Sequence, residues 1–138
     1  MNKLETYLGI PWLSGGRTIT GGLDCWGLLR YVYLDLYGIK LPVHAVPIGT
    51  LAEADPVVEA EIGSHSWLEI VSPEDGDVVA LGRGAGFCHV GVYVETPAPA
   101  ILHTSKDCNS AIVPLRTLYR QGYRNVKYYR HVERRPNR

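Results

Sequence analysis

The sequence predicts an α+β domain in which an N-terminal helix packs on an antiparallel sheet of four or more strands. Three observations carry that reading. A single strongly periodic stretch follows residue 24, short β-branched segments recur from residue 77 onward, and glycine- or proline-rich turns separate them.

The helix comes first. The loop from Ser14 to Gly22 is rich in glycine, and Asp24 after it is a good N-cap, since its carboxylate can accept from the first unpaired amides of a helix. Leu28, Leu29, Val32, Tyr33 and Leu36 recur at helical spacing until Gly38 stops the run, which predicts a helix over about residues 25–37. From Pro42 to Ser72 the prolines at 42, 47 and 56 favour loops, with one short helix around Val57 to Ile62. Pro73-Glu74-Asp75-Gly76 reads as a turn. Asp77 to Leu81, Phe87 to Val94 and Ala100 to His103 then read as three successive strands, and Val126 to Val132 as a last one.

A length of 138 residues is sized for one domain, assigned to 1–138, with a core that needs no disulfide or metal staple. The 14 basic side chains balance the 14 acidic ones, which argues against a general nucleic-acid binder. Arg130, Arg134, Arg135 and Arg138, interrupted by Glu133, read as a flexible, solvated basic tail over 130–138. The N-terminus lacks the apolar core of a signal peptide and no later stretch approaches a membrane span, so a chain made in the cytoplasm, without membrane insertion, is expected. Cys25, Cys88 and Cys108 are odd in number and contain no C-x-x-C pair, so neither a disulfide framework nor a zinc ribbon fits.

Cys25 falls in the first turn of the helix, where unpaired N–H groups and the helix dipole favour an anion and can depress a thiol below its usual pKa of about 8.5. The preceding glycines leave the sulfur approachable, and the nearby N–H groups can face an oxyanion. By position alone Cys25 reads equally as a small buried residue at a helix start. His89 shifts that balance. Strand alternation puts His89, Gly91 and Tyr93 on one side, with Cys88, Val90, Val92 and Val94 on the other, so the imidazole points away from the apolar row. Gly91 predicts space beside the imidazole for a substrate. A catalytic base needs a third group to orient it, and His103 can supply one if its strand neighbours that of His89. His44, His65 and His131 read as surface or satisfied histidines.

These residues carry a resemblance. Pro11-Trp12-Leu13-Ser14-Gly15-Gly16, Gly22-Leu23-Asp24-Cys25-Trp26-Gly27-Leu28, Pro73-Glu74-Asp75-Gly76-Asp77, His89-Val90-Gly91-Val92-Tyr93 and Ile101-Leu102-His103 occur in the order typical of the NlpC family of cell-wall cysteine endopeptidases, over about residues 9–105. The resemblance implies a papain-like fold with Cys25, His89 and His103 as catalytic triad. It also implies cleavage of amide bonds next to D-γ-glutamyl residues in peptidoglycan stem peptides, with no metal or other cofactor. Asp24, Trp12 and Trp26 match positions expected to contact substrate. Trp26 replaces a common serine and Trp12 a common tyrosine. The D-C-W-G-L-x-R segment, continuing to Tyr37-Gly38-Ile39-Lys40-Leu41-Pro42, is most similar to the phage-tail branch, which implies other tail-tip proteins as partners, a place in the virion tail and action in the host periplasm or wall.

Three other readings compete. One is a structural tail-tip or adaptor protein that keeps the fold without turnover. Another is an acyltransferase relative using the same dyad, which a deep apolar channel at the site would favour. A metal site built from Cys25, Cys88, His89, His103 and Cys108 is disfavoured, because the strand neighbours Cys88 and His89 point to opposite faces.

Overall fold

Asp24 caps a helix as its position suggests, its carboxylate accepting the amide of Gly27 at 2.7 Å. The computed structural model, which describes residues 2–44, 54–106 and 108–134, runs helix α1 over Cys25–Val32. A wider π turn, Tyr33–Tyr37, continues it, and Gly38 ends it in the left-handed region at φ 69°. The expected span is therefore helical, but its last residues open out from α geometry. Tyr33 Oη donates to the carbonyl of Gly76 at 2.5 Å, and Tyr37 Oη reaches that of Asp75 at 3.4 Å. Residue 76 has to be glycine. Its φ is 91°, and a Cβ there would lie 1.8 Å from Tyr37 Oη.

Strands β1 (Arg17–Thr18) and β2 (Gly22–Leu23) form a small antiparallel ribbon before α1. Helix α2, Pro56–Ile62, forms where one short helix was read, with Asp55 accepting from Val57 N at 2.9 Å; Pro47 lies outside the described residues. The main sheet contains β3 (Trp67–Ile70), β4 (Val78–Gly82), β5 (His89–Val94), β6 (Ala100–Ser105), β7 (Cys108–Val113) and β8 (Asn125–His131). Their spatial order is β3-β8-β4-β5-β6-β7, and every pairing is antiparallel. Strands β3 and β7, and the short helix α3 (Leu115–Arg120), are additions to the sequence reading. Among the described residues no helix is long and apolar enough to cross a membrane.

Both faces of this sheet are covered. Helix α1 packs its Leu28, Leu29 and Val32 with Val78, Ala80, Val90, Val92 and Leu102. The reverse face carries Val79, Leu81, Cys88 and Ile101 under Leu118 of α3 and Tyr123 after it. Each fully buried leucine or valine contributes about 1.5–3 kcal/mol. The row of Val90, Val92 and Val94 is core as read, but Cys88, expected in that row, packs in the reverse-face cluster just before β5 begins, and the side expected to hold an open site is core as well.

The expected basic tail does not lie free in solvent where it is described. Asp77, fully buried, accepts from Arg130 Nε at 2.9 Å, Arg130 Nη2 at 2.6 Å, Arg134 Nη1 at 2.6 Å and the amide of Glu74 at 2.7 Å. Arg134 also lies over the Tyr37 ring, 4.8 Å from its centre, and donates to the carbonyl of Asp75. A carboxylate without water needs strong donors, and two guanidinium groups supply them. Arg135 and Arg138 lie outside the described residues.

Replacing Asp77 by Ala leaves the buried Arg134 without its partner and is expected to cost about 3–5 kcal/mol of stability, read from urea denaturation. A loss below about 1 kcal/mol would show that the cluster behaves as an exposed ion pair instead.

Candidate active site

Cys25 opens α1 and His89 opens β5, and the two starts meet at one end of the sheet. Sγ of Cys25 accepts the backbone N–H of Val90, the residue after His89, and that of Trp26 in the first turn of α1. The histidine side chains lie on the reverse face. Nε2 of His89 is 3.0 Å from Nδ1 of His103, with the rings 83° apart. The strand adjacency that this contact requires is present, since β5 pairs with β6 with Val92 opposite Leu102. Only one hydrogen can lie between the two nitrogens. With it on Nε2 of His89, the Nδ1 of the same ring is left as the acceptor for a thiol proton.

Gly91 serves this contact differently from the expectation. A Cβ at residue 91 would lie 2.6 Å from Cγ2 of Ile101 and 3.4 Å from Cβ of His103. The missing side chain lets β6 bring His103 up to His89; it does not open space for a substrate. The other side of the imidazole is covered by Tyr123, stacked at 5.3 Å between ring centres and 23° between planes. Arg83 in turn places its guanidinium 4.1 Å above the Tyr123 ring. Neither residue stood out in the sequence. Tyr123 follows a helix too short to show periodicity, and Arg83 sits in a glycine-rich turn.

Burial dominates the electrostatics. Cys25 is 3% exposed, His89 2% and His103 4%. Loss of water pushes the Cys25 thiol up to about 12; the Val90 amide pulls it down, the carboxylates of Asp24 and Asp55 push it up, and the Trp26 amide pulls it down. The helix-start amide acts as expected, but desolvation outweighs it, so the depressed thiol pKa read from position is corrected to a raised one. His89 is lowered to about 3, first by burial, then by the charges of His103 and Arg83. Burial lowers His103 to about 4. Burial thus favours the uncharged form of all three groups, raising the thiol and lowering both imidazoles.

Of the expected substrate contacts, Trp12 keeps exposed surface; it bridges to Leu23 of β2 and is half-buried. Asp24 is 5% exposed and spends an oxygen on capping α1. Trp26 is packing rather than a free contact surface: its indole N–H donates to the carbonyl of Pro42 at 2.8 Å, and its ring lies 5.2 Å from that of His44. His65 is exposed and His131 is satisfied, Nδ1 accepting the amide of Glu133. His44, read as surface or satisfied, instead buries its Nε2 with no hydrogen-bond partner among the described residues, 3.9 Å from Glu61 Oε2. Cys88 belongs to the reverse-face apolar cluster and Cys108 is exposed on β7, so the cysteines do not converge on one ligand set. An apolar cleft of about 490 Å³ lies at the other end of β5, lined in part by Leu8, Val94, Pro97 and Ile112, and none of its lining residues is Cys25, His89 or His103.

The NlpC/P60 family model matches residues 9–130. Murein DD-endopeptidase MepH of Escherichia coli (strain K12) is 37% identical over 97 residues, covering 68% of this chain and 31% of that protein. Gamma-DL-glutamyl hydrolase of Bacillus subtilis (strain 168) is 31% identical over 100 residues, covering 67% of this chain and 20% of that one. The chain thus spans under a third of the length of either relative. The crystal structure of the NlpC/p60 domain of the peptidoglycan hydrolase SagA superposes with a TM-score of 0.61 at 17% identity, covering 91% of this chain and 90% of that domain. The α+β papain-like architecture is shared.

The buried ionisable groups set a pH window for stability. Between pH 6.5 and about 3 the unfolded chain takes up protons on residues 89 and 103 that the folded chain refuses, so stability present above pH 6.5 is lost as pH falls. Above pH 9 the unfolded Cys25 releases a proton that the folded state retains up to about 12, so stability also falls on that side. Chemical denaturation at pH 4.5, 7 and 10 is expected to give the highest midpoint at 7. A His103→Asn variant should lose less than wild type between 7 and 4.5, and an equal loss would reject the assignment.

Proposed function

The chain belongs to the NlpC/P60 family, and on that premise we propose that it is a cysteine endopeptidase acting on amide bonds of peptidoglycan stem peptides, with Cys25 as nucleophile, His89 as base and His103 orienting the base. The observation that carries the proposal is the 3.0 Å contact between His89 and His103, at the strand start whose Val90 amide meets the Cys25 sulfur. The relatives named as a murein endopeptidase and a glutamyl hydrolase support the substrate class.

In the reaction, His89 Nδ1 accepts the Cys25 proton as Sγ attacks the amide carbonyl carbon, forming a C–S bond and an oxyanion. The amide of Trp26, already directed at the sulfur, is placed to stabilise that oxyanion. The imidazolium then gives its proton to the leaving nitrogen as the C–N bond breaks. Water, deprotonated by His89, attacks the thioester carbon, the C–S bond breaks to release the carboxylic acid product, and the imidazolium returns its proton to the sulfur. Burial favours the protonated thiol, so the transfer to His89 is drawn together with attack. His103 accepts from Nε2–H throughout and keeps the base in the right tautomer.

The cut next to D-γ-glutamyl and the place in a phage tail tip, with other tail proteins as partners and the host wall as site of action, are the finer parts of the proposal. The tail-tip part rests on the D-C-W-G-L-L-R segment at Asp24 to Arg30 and on Tyr37 to Pro42, and the bond on the family resemblance of the blocks from Pro11 to His103. A search of purified induced phage particles for peptides of this chain tests the location, and recovery only from host cytosol would reject it. The acyltransferase reading receives no support from the apolar cleft, whose lining excludes the triad.

Digestion of purified peptidoglycan is expected to release stem-peptide fragments with wild type and none with Cys25→Ala, read by mass spectrometry. His89→Ala should slow release at least about 100-fold and His103→Ala less. Fragments surviving Cys25→Ala, or absent from wild type, would overturn the endopeptidase assignment.

A further inference from the structure

The segment after α3 is built around the catalytic histidine. The α3 helix ends in a turn where Tyr123 N donates to the carbonyl of Leu118 at 3.0 Å and Gly122 takes φ 98°. Arg124 N donates to the carbonyl of Gly82 at 3.0 Å and ties that turn to the end of β4. Arg83 then lies across it. Its Nε donates to the carbonyl of Gln121 at 3.3 Å, its stem passes beside Gly122, where a Cβ would come within 3.5 Å of Cδ, and its guanidinium rests 4.1 Å from the Tyr123 ring centre. The opposite face of that ring is occupied by His89. Arg83, Tyr123 and His89 thus form one stack, exposed at the arginine and 2% exposed at the imidazole.

We propose that Tyr123, clamped by Arg83, is the positioning residue of the base: its ring fixes the rotation of the His89 imidazole so that Nε2 meets His103, which leaves Nδ1 as the nitrogen to take the thiol proton. The inference rests on reading Cys25 and His89 as nucleophile and base. A histidine on a strand start has free rotation about its Cα–Cβ and Cβ–Cγ bonds unless neighbours remove it. A 3.0 Å contact to His103 fixes one nitrogen at a point, and a stacked ring fixes the plane, so the two together define the orientation of the second nitrogen. The cation above the phenol ring has a cation–π partner there, which holds the platform in place. Its charge also opposes protonation of His89 at rest. The groups around the imidazole are accordingly His103 from β6 and Tyr123 from the α3 turn, with the Arg83 charge of the β4–β5 turn beyond the Tyr123 ring and the start of α1 at the neighbouring Val90 amide.

The test compares Tyr123→Leu, Tyr123→Phe, Arg83→Met and Arg83→Lys with wild type. Histidine ring nitrogens are followed by ¹⁵N–¹H correlation spectra from pH 4 to 8, alongside initial rates on purified peptidoglycan. Wild type is expected to show His89 as a single Nε2–H tautomer that does not take up a proton above pH 5. Tyr123→Leu should mix the tautomers, move the titration upward by at least one pH unit and cut the maximal rate about tenfold with half-saturation within about twofold. Tyr123→Phe, which keeps the ring, should restore the single tautomer. Arg83 is exposed, so Arg83→Met keeps the fold; it is expected to raise the titration midpoint and slow the reaction about threefold, with Arg83→Lys closer to wild type. An unchanged tautomer and titration in folded Tyr123→Leu, or in Arg83→Met if Tyr123→Leu does not fold, would overturn the inference. Wild type that cleaves nothing would sink the endopeptidase reading alone, since the ring spectra still decide the stack.

Discussion

A single carboxylate without water organises the end of the molecule remote from the site. Asp77 is fully buried and is met by Arg130 from β8, Arg134 after it and the backbone of the turn at 74–77. Tyr33 and Tyr37 reach the same turn from the end of α1, and Tyr93 N donates to the Asp77 carbonyl from β5. Helix, turn, sheet and the last described residues therefore share one electrostatic centre. An ion pair of this kind is weak evidence of net stability, but removing one member leaves a charge with no substitute. Its structural effect is to fix how α1 lies on the sheet, and that determines where the start of α1 falls relative to the start of β5.

At the candidate site, burial acts on groups that it keeps uncharged. Desolvation raises the Cys25 thiol and lowers the imidazoles, which favours the uncharged form of each. A proton moved between these groups in a dry environment creates charges that interact far more strongly than they would in water. The donors that await them are already in place: the Trp26 and Val90 amides at sulfur and His103 at the ring. If the proposed reaction runs here, these groups would meet charges that exist only during it, which is where binding energy accelerates chemistry.

The parts legible in the sequence are those whose signal is local. Leu28, Leu29, Val32 and Tyr33 revealed α1 because they line one face, and Val78 to Leu81, His89 to Val94 and Ala100 to His103 are dense in β-formers. Strand β3 has four residues and its partner is β8, far along the chain. Strand β7, Cys108–Val113, is polar at its start and exposed, so no alternation marks it. Helix α3 has six residues and no side-chain cap, too short to hold without packing of Leu118. For the site, Cys25, His89 and His103 were legible as residue types in order, but the sign of the thiol shift was not. Helix-start position is written in the sequence, whereas burial depends on what the whole chain lays over it. Tyr123 and Arg83 meet His89 only after α3 and the β4–β5 turn have docked.

Strand β7 ends the sheet, yet its outer backbone is engaged by the N-terminal chain. Gly9 N donates to the Ser110 carbonyl and Ser110 N to the Ile10 carbonyl, both at 2.8 Å, while Ser110 Oγ bonds the Tyr7 carbonyl. A sheet edge with unclaimed amides is a template for another chain. Residues 7–10 therefore shield the molecule from strand-by-strand self-association on that side, and without them the outer backbone of β7 would offer its donors and acceptors to another chain.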